Sequence, residues 1–167
     1  MQPNPQDENM LNARDLTIAV VTSSYHAAIT EALRTGATAT FLDAGGSPDR
    51  LLHIQAPGTY ELPVLCSHCC VDHGQGTPDA IVALGCVIRG ETSHDQHINM
   101  AVSNQLARLS VDTGIPIAFG VLTCETMEQA HARAGGDQGH KGVEAMTAAL
   151  HTISAIQTLD HKAHGHA

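Results

Sequence analysis

At 167 residues with a formal charge of −9, the chain has one domain's length, able to bury roughly two-thirds of its unfolded surface. A 43% hydrophobic and 15% charged composition excludes a disordered chain, and the acidic balance excludes a general nucleic-acid binder, which needs a basic face to displace counterions. No apolar stretch approaches the roughly 20 residues of a membrane span, and five cysteines, three of them crowded together, do not form a secreted disulfide framework. The expectation is a soluble, cytoplasmic, acidic protein without nucleic-acid or membrane partners.

Residues 1–15 are polar and read as a flexible N-terminal arm, not as a signal peptide. Leu16 to Val21 is short, β-branched and apolar throughout, the pattern of a strand covered on both faces. Ser23 and Ser24 are candidate caps for a helix in which Ala28, Ile29, Ala32 and Leu33 recur at helical spacing up to Gly36. Ala37 to Leu42 reads as a second strand, ended by Gly45-Gly46-Ser47-Pro48, and Leu51 to Gln55 as a third, stopped by Pro57-Gly58. Leu62 to Asp72 has helical spacing. Asp79 to Ile88 is the strongest central-strand candidate, followed by a long helix from Thr92 to Thr113. Ile115 to Leu122 is another covered strand. Glu125 to Arg133 and Lys141 to Leu159 are helices joined by a glycine-rich connection, and 160–167, with His161, His164 and His166, read as a loose tail. The alternation predicts a three-layer α/β/α sandwich with a mostly parallel central sheet, flavodoxin-like, as one domain over 16–159.

Ligands of such sheets sit outside the carboxyl ends of the strands, so the segments that follow the strands are the informative ones. In Gly85-Cys86-Val87-Ile88-Arg89-Gly90-Glu91-Thr92-Ser93-His94 a covered strand runs into a glycine turn and a helix start. Free N–H groups there favour an anion, and His94 in the first turn can move protons near pH 7. The alternative is a plain cap at Thr92 or Ser93 with His94 on the surface. Arg133-Ala134-Gly135-Gly136-Asp137-Gln138-Gly139-His140-Lys141-Gly142 reads either as a phosphate-holding loop or as a flexible connection with solvated charges. It lacks P-loop spacing. Pro57-Gly58-Thr59-Tyr60-Glu61-Leu62-Pro63 fixes a sharp turn that exposes Tyr60 and Glu61, an aromatic ring beside a carboxylate. As a bare pattern it is also simply a turn. Cys66-Ser67-His68-Cys69-Cys70 with His73 invites a zinc reading, yet its apolar helical spacing favours buried cysteines packing as small hydrophobes.

Taken together and in this order, the turn at 57–63, the strand-to-helix segment at 83–94, Phe119-Gly120-Val121-Leu122-Thr123, Glu128-Gln129-Ala130 and Arg133-Ala134-Gly135 resemble the 6,7-dimethyl-8-ribityllumazine synthase family over about residues 16 to 157. The resemblance implies a transferase of riboflavin biosynthesis, working without metal or organic cofactor. It condenses 5-amino-6-(D-ribitylamino)uracil with 3,4-dihydroxy-2-butanone 4-phosphate, releasing the lumazine, phosphate and water. It assigns proton transfer to His94. Tyr25 matches the family's stacking ring, Thr59, Tyr60 and Glu61 its ribityl contacts, and Cys86, Val87 and Ile88 its pyrimidine-binding strand end. Glu91 and Thr92 match the phosphate-side helix start. Phe119 and Arg133 match residues delivered from the neighbouring subunit, and Lys141 is a further phosphate contact.

The chain departs from the family pattern in places. Tyr25-His26 stands where Phe-Asn or Trp-His is usual, and Asp95, Gln96 and His97 replace the common residues after the histidine. Asp137 stands where many members have Lys, which throws phosphate binding onto Arg133. The resemblance further implies a homo-oligomer, either a pentamer or decamer or an icosahedral capsid of sixty subunits, with riboflavin synthase as a partner. The short connection from Gly135 to Gly142 is similar to that of shell-forming members. The rival readings are a non-catalytic flavin- or lumazine-binding relative and a nucleotide-binding flavodoxin-like domain. The second is disfavoured because Thr22-Ser23-Ser24-Tyr25 offers no phosphate-binding glycine loop.

Overall fold

A computed structural model describes residues 11–164. Four parallel strands, β1 (Ile18–Ser23), β2 (Leu51–Ala56), β3 (Ala80–Ile88) and β4 (Ile117–Cys124), form one sheet in the order β2-β1-β3-β4. Helices α1 (Ala27–Asp43) and α5 (Lys141–His164) pack on one face, α2 (Leu62–Cys69) and α3 (His94–Thr113) on the other. Side chains alternate along a strand, and the two layers divide accordingly. Ile18, Val20, Val82 and Leu84 meet Ile29, Leu33, Phe41, Met146 and Leu150. Ala19, Val21, Ile81 and Ala83 meet Leu62, Cys66, Val102 and Leu106. The result is the three-layer α/β/α sandwich expected from the alternating pattern.

Residues 37–42 are not a strand. They are the second half of α1, which runs through Gly36 without a break. Leu33, Ala37 and Phe41 follow one another at four-residue spacing, and all three are fully buried. The hydroxyls of Thr35 and Thr40 donate to the carbonyls of Glu31 and Gly36, four residues back, so they are satisfied inside the helix. A β-branched residue costs a helix less than about 0.7 kcal/mol, whereas burying Phe41 contributes roughly 1.5–3 kcal/mol. Packing wins. Gly36 serves close approach instead: a Cβ there would overlap the ring of His140, as one on Gly142 would overlap the carbonyl of Leu33. These two glycines let α1 and the start of α5 touch.

The ends also differ from the sequence expectation. Residues 11–15 of the expected arm are tied down, with Leu11 against the core, Ala13 buried, and the Ala13 N–H donating to the Ala44 carbonyl at 2.9 Å. Residues 1–10 lie outside the described residues. At the other end α5 continues to His164, so 160–164 extend the helix rather than leave it, and His166 lies outside the described residues. α4 (Met127–Arg133) leads into a small antiparallel hairpin of β5 (Ala134–Gly136) and β6 (Gly139–His140), where the sequence suggested an irregular connection. Among the described residues no helix is long and apolar enough to cross a membrane.

Candidate functional site

The sheet order reverses direction between β1 and β3, and there β3 outruns its neighbour. The β1–β3 pairing ends at Thr22 and Leu84, while β3 stays paired with β4 as far as Ile88 and Cys124. Among the described residues, no strand therefore lies beside Cys86, Val87 and Ile88 on the β1 side. Backbone groups left open in this way must find other partners, which suits a planar ligand with its own donors and acceptors.

Three turns wall this opening. After β1, the N–H and hydroxyl of Ser24 both donate to the Ala56 carbonyl, at 2.7 and 2.9 Å, tying the exits of β1 and β2 together. Ser23 accepts from the Tyr25 N–H at 3.2 Å. Neither serine caps α1, contrary to the sequence expectation: the capping position falls to His26, in a left-handed conformation and without a side-chain cap. Tyr25 projects outward, 66% exposed. After β2, Pro57 and Gly58 lead into a 3-10 turn, Thr59–Glu61, that runs straight into α2. Thr59 is buried and its hydroxyl donates to the Cys86 carbonyl at 3.5 Å, pinning the turn to the open end of β3. After β3, Thr92 accepts from the His94 N–H at 3.4 Å, and Ser93 at the helix start makes no side-chain cap.

A cavity of about 400 Å³ lies between these turns. Of the thirteen residues singled out from the sequence, nine line it: Tyr25, Thr59, Tyr60 and Glu61 from the first two turns, Cys86, Val87 and Ile88 from β3, and Thr92 and His94 from the start of α3. Gly58, Gly90, Asp95, Ile98 and His26 line it as well and were not on that list. Ile98 was within reach of helical periodicity, one turn after His94. His26 carried no pattern of its own, because its conformation comes from how β1 meets α1.

Phe119, Arg133 and Lys141 stand elsewhere, around a second cavity of about 880 Å³ beside the edge strand β4. Glu91 is exposed and lines neither. Thr126 caps α4 by accepting from the Gln129 N–H, and the Gln129 side chain accepts in return from the Glu125 N–H at 2.9 Å. That reciprocal cap orients α4 so that Arg133, in its last turn, reaches the cavity wall. Lys141 pairs with Glu144 at 3.2 Å, and Asp137 adds a second carboxylate. A salt bridge at 3.1 Å between Arg89 and Glu125 joins the ends of β3 and β4 between the two cavities.

Burial, reinforced by Cys124, pushes the Cys86 thiol up to about 12, so it is neutral near pH 7 and no thiolate nucleophile faces the first cavity. Cys66 is buried in the α2 layer with Cys69 and Cys70 against it, and burial raises all three thiols. Among the described residues no three His, Cys, Asp or Glu side chains converge on a metal site. The first cavity thus offers an open backbone edge, two phenol rings, two carboxylates and two imidazoles. The second offers an arginine and a lysine.

A family model described as 6,7-dimethyl-8-ribityllumazine synthase matches residues 15–157. Proteins named 6,7-dimethyl-8-ribityllumazine synthase from Streptomyces avermitilis and Porphyromonas gingivalis are 43% and 41% identical to it, over 150 and 143 residues. These alignments span 89% and 86% of this chain and 89% and 87% of the relatives. A protein of the same name from Deinococcus radiodurans is 37% identical over 153 residues, 92% of this chain and 97% of its own. With a match of this extent over a sheet whose open β3 end carries the resembling motifs, the chain belongs to the 6,7-dimethyl-8-ribityllumazine synthase family.

Proposed function

We propose that the protein condenses 5-amino-6-(D-ribitylamino)uracil with 3,4-dihydroxy-2-butanone 4-phosphate to give 6,7-dimethyl-8-ribityllumazine, phosphate and water. The uncovered end of β3 carries the assignment of the site. A pyrimidine edge can pair with the backbone groups of the Cys86–Ile88 end that no described strand meets on the β1 side, the Cys86 carbonyl being already held by Thr59. Tyr25 stacks on the ring, and Thr59, Tyr60 and Glu61 receive the ribityl hydroxyls. His94 moves the proton. Thr92 and Glu91, at the positive end of α3, sit on the phosphate side.

Arg133 and Lys141 supply the phosphate's cations, and Phe119 a second ring, to the first cavity of a neighbouring subunit. Two observations support this. The three residues share a cavity of their own, apart from the first. Phe119 is also 37% exposed on β4, the edge strand of the sheet among the described residues. The working unit in this reading is one domain, assembled as a pentamer, with a sixty-subunit shell favoured by the short connection from Gly135 to Gly142. Riboflavin synthase, which consumes the product, is the partner enzyme. All five cysteines are free thiols, which suits a reducing cytoplasm.

The test is to mix purified protein with both substrates and follow lumazine by absorbance, beside His94→Ala and Arg133→Ala. Turnover above the spontaneous background, reduced in both variants, is expected. General acid–base help is worth on the order of 10²–10⁴-fold, and holding two substrates in register contributes independently, so His94→Ala should keep a measurable rate. Background-level rates in the unsubstituted protein would refute the assignment.

A further inference from the structure

His26 begins α1 with φ 58° and ψ 51°, and is the one non-glycine residue at positive φ among the described residues. A side chain makes this conformation costly, and glycine would adopt it freely. The backbone there does nothing that needs histidine: its carbonyl accepts the N–H groups of Ile29 at 2.9 Å and Thr30 at 3.1 Å. The side chain makes no cap hydrogen bond. It lies edge-on to Tyr25 instead, ring centroids 4.7 Å apart and planes at 72°, and lines the first cavity. Strain held at a cavity wall, with neither capping nor core packing to require it, is a mark of function.

The position of His26 in the fold strengthens this. α1 packs on one face of the sheet and α3 on the other, and each begins with an imidazole in the same 400 Å³ cavity. The wall of the cavity at the open end of β3 thus carries one imidazole from the start of each helix layer.

We propose that His26 is a second proton-transfer residue of the condensation, acting opposite His94. This rests on the reading of the first cavity as the condensation site. Dehydration of the amine–ketone adduct needs a donor and an acceptor in one step. One imidazolium gives its proton to the adduct hydroxyl, and the C–O bond breaks with its electron pair leaving in water. The other imidazole takes the proton from nitrogen as the C=N bond forms. One histidine ends neutral and the other charged, and the second dehydration, at ring closure, runs the exchange in reverse and restores both. The other ionisable groups facing this cavity are Tyr25, Tyr60, Glu61, Cys86 and Asp95. Among these side-chain types only imidazole ordinarily changes charge between about pH 5 and 8.

The experiment compares the unsubstituted protein with His26→Asn and His26→Gly, measuring kcat, KM and melting temperature over about pH 5 to 9. Asparagine tolerates the left-handed backbone and hydrogen-bonds without titrating in this range. The expected result for His26→Asn is a fall in kcat of at least about 10-fold, KM within about 3-fold, and loss of one limb of the pH–rate profile. His26→Gly should lose rate to the same extent while melting at or above the temperature of the unsubstituted protein. A His26→Asn profile that keeps both limbs, an effect confined to KM, or a lower melting temperature for His26→Gly would each overturn the proposal. An unsubstituted protein that makes no lumazine above background would refute the reading of the site, and the pairing with it.

Discussion

Asp137 lines the same cavity as Arg133 and Lys141, and Lys141 is already paired with Glu144. Arg133 makes no ion pair among the described residues, so it is the freer of the two cations to meet a phosphate, with an acid nearby. Replacing that acid should help binding. We expect Asp137→Asn to lower KM for the phosphate-bearing substrate about 3- to 10-fold at low salt, with the gain shrinking as ionic strength rises. A KM unchanged at low salt would remove Asp137 from the phosphate's surroundings. Cysteine reactivity follows from burial in the same way. Cys69 and Cys70, partly exposed, should alkylate first at neutral pH, and buried Cys66, Cys86 and Cys124 last, as peptide mapping after a timed iodoacetamide pulse would show. Early labelling of Cys86 would contradict its protonated state.

At the scale of elements, the contact of α1 with α5 is the most sensitive part of the fold. Phe41 is the largest fully buried side chain, on the half of α1 that local propensity read as a strand. Phe41→Ala should destabilise the fold by about 3–5 kcal/mol, since it removes both the ring's transfer free energy and the packing around it. Gly142→Ala drives a methyl into the Leu33 carbonyl, which cannot rotate aside as a flexible side chain could. A drop in melting temperature at fixed protein concentration, with α5 displaced from α1, is expected for Gly142→Ala. An unaffected melting temperature would mean that the helices part at no cost.

For the whole molecule, a site shared between subunits makes a sharp prediction. His94→Ala and Arg133→Ala chains, each impaired alone, should recover activity when co-assembled, because some sites then draw His94 from one chain and Arg133 from the other. Random mixing restores about a quarter of the sites. No recovery in mixed assemblies of normal size would place both residues in one chain's site. Stability against pH has a definite sign too. Burial raises the folded-state values of Cys66, Cys69, Cys70, Cys86 and Cys124 above the ordinary 9.0 of a thiol. The unfolded chain therefore releases these protons first as pH rises. Their contribution is intact below about pH 9 and is lost progressively as pH climbs toward the folded value, about 12 for Cys86. Alkaline melts should show this fall, and Cys66→Ala should make it shallower. An equal slope in the Cys66→Ala protein would count against the linkage.

The layered α/β class, each of the four strands of the sheet and the motifs that follow them are legible in the sequence, beside one strand at 37–42 that is helix. Each of these is a local matter of short apolar runs bounded by turn residues, and the nine singled-out residues that line the first cavity lie at the end of β3 or just past a strand end. Tertiary structure decided the rest. Thr38 and Thr40 favour a strand locally, but the burial of Ala37 and Phe41 holds them in a helix. Leu11 and Ala13 look like part of a polar arm until the core offers them a surface. The uncovered edge of Cys86 to Ile88 exists only because β3 outruns β1, a matter of register between strands some sixty residues apart in the chain. The left-handed turn at His26 arises where β1, tied to β2 through Ser24 and Ala56, passes into α1. Contacts between distant segments set each of these outcomes, and local spacing carries no record of them.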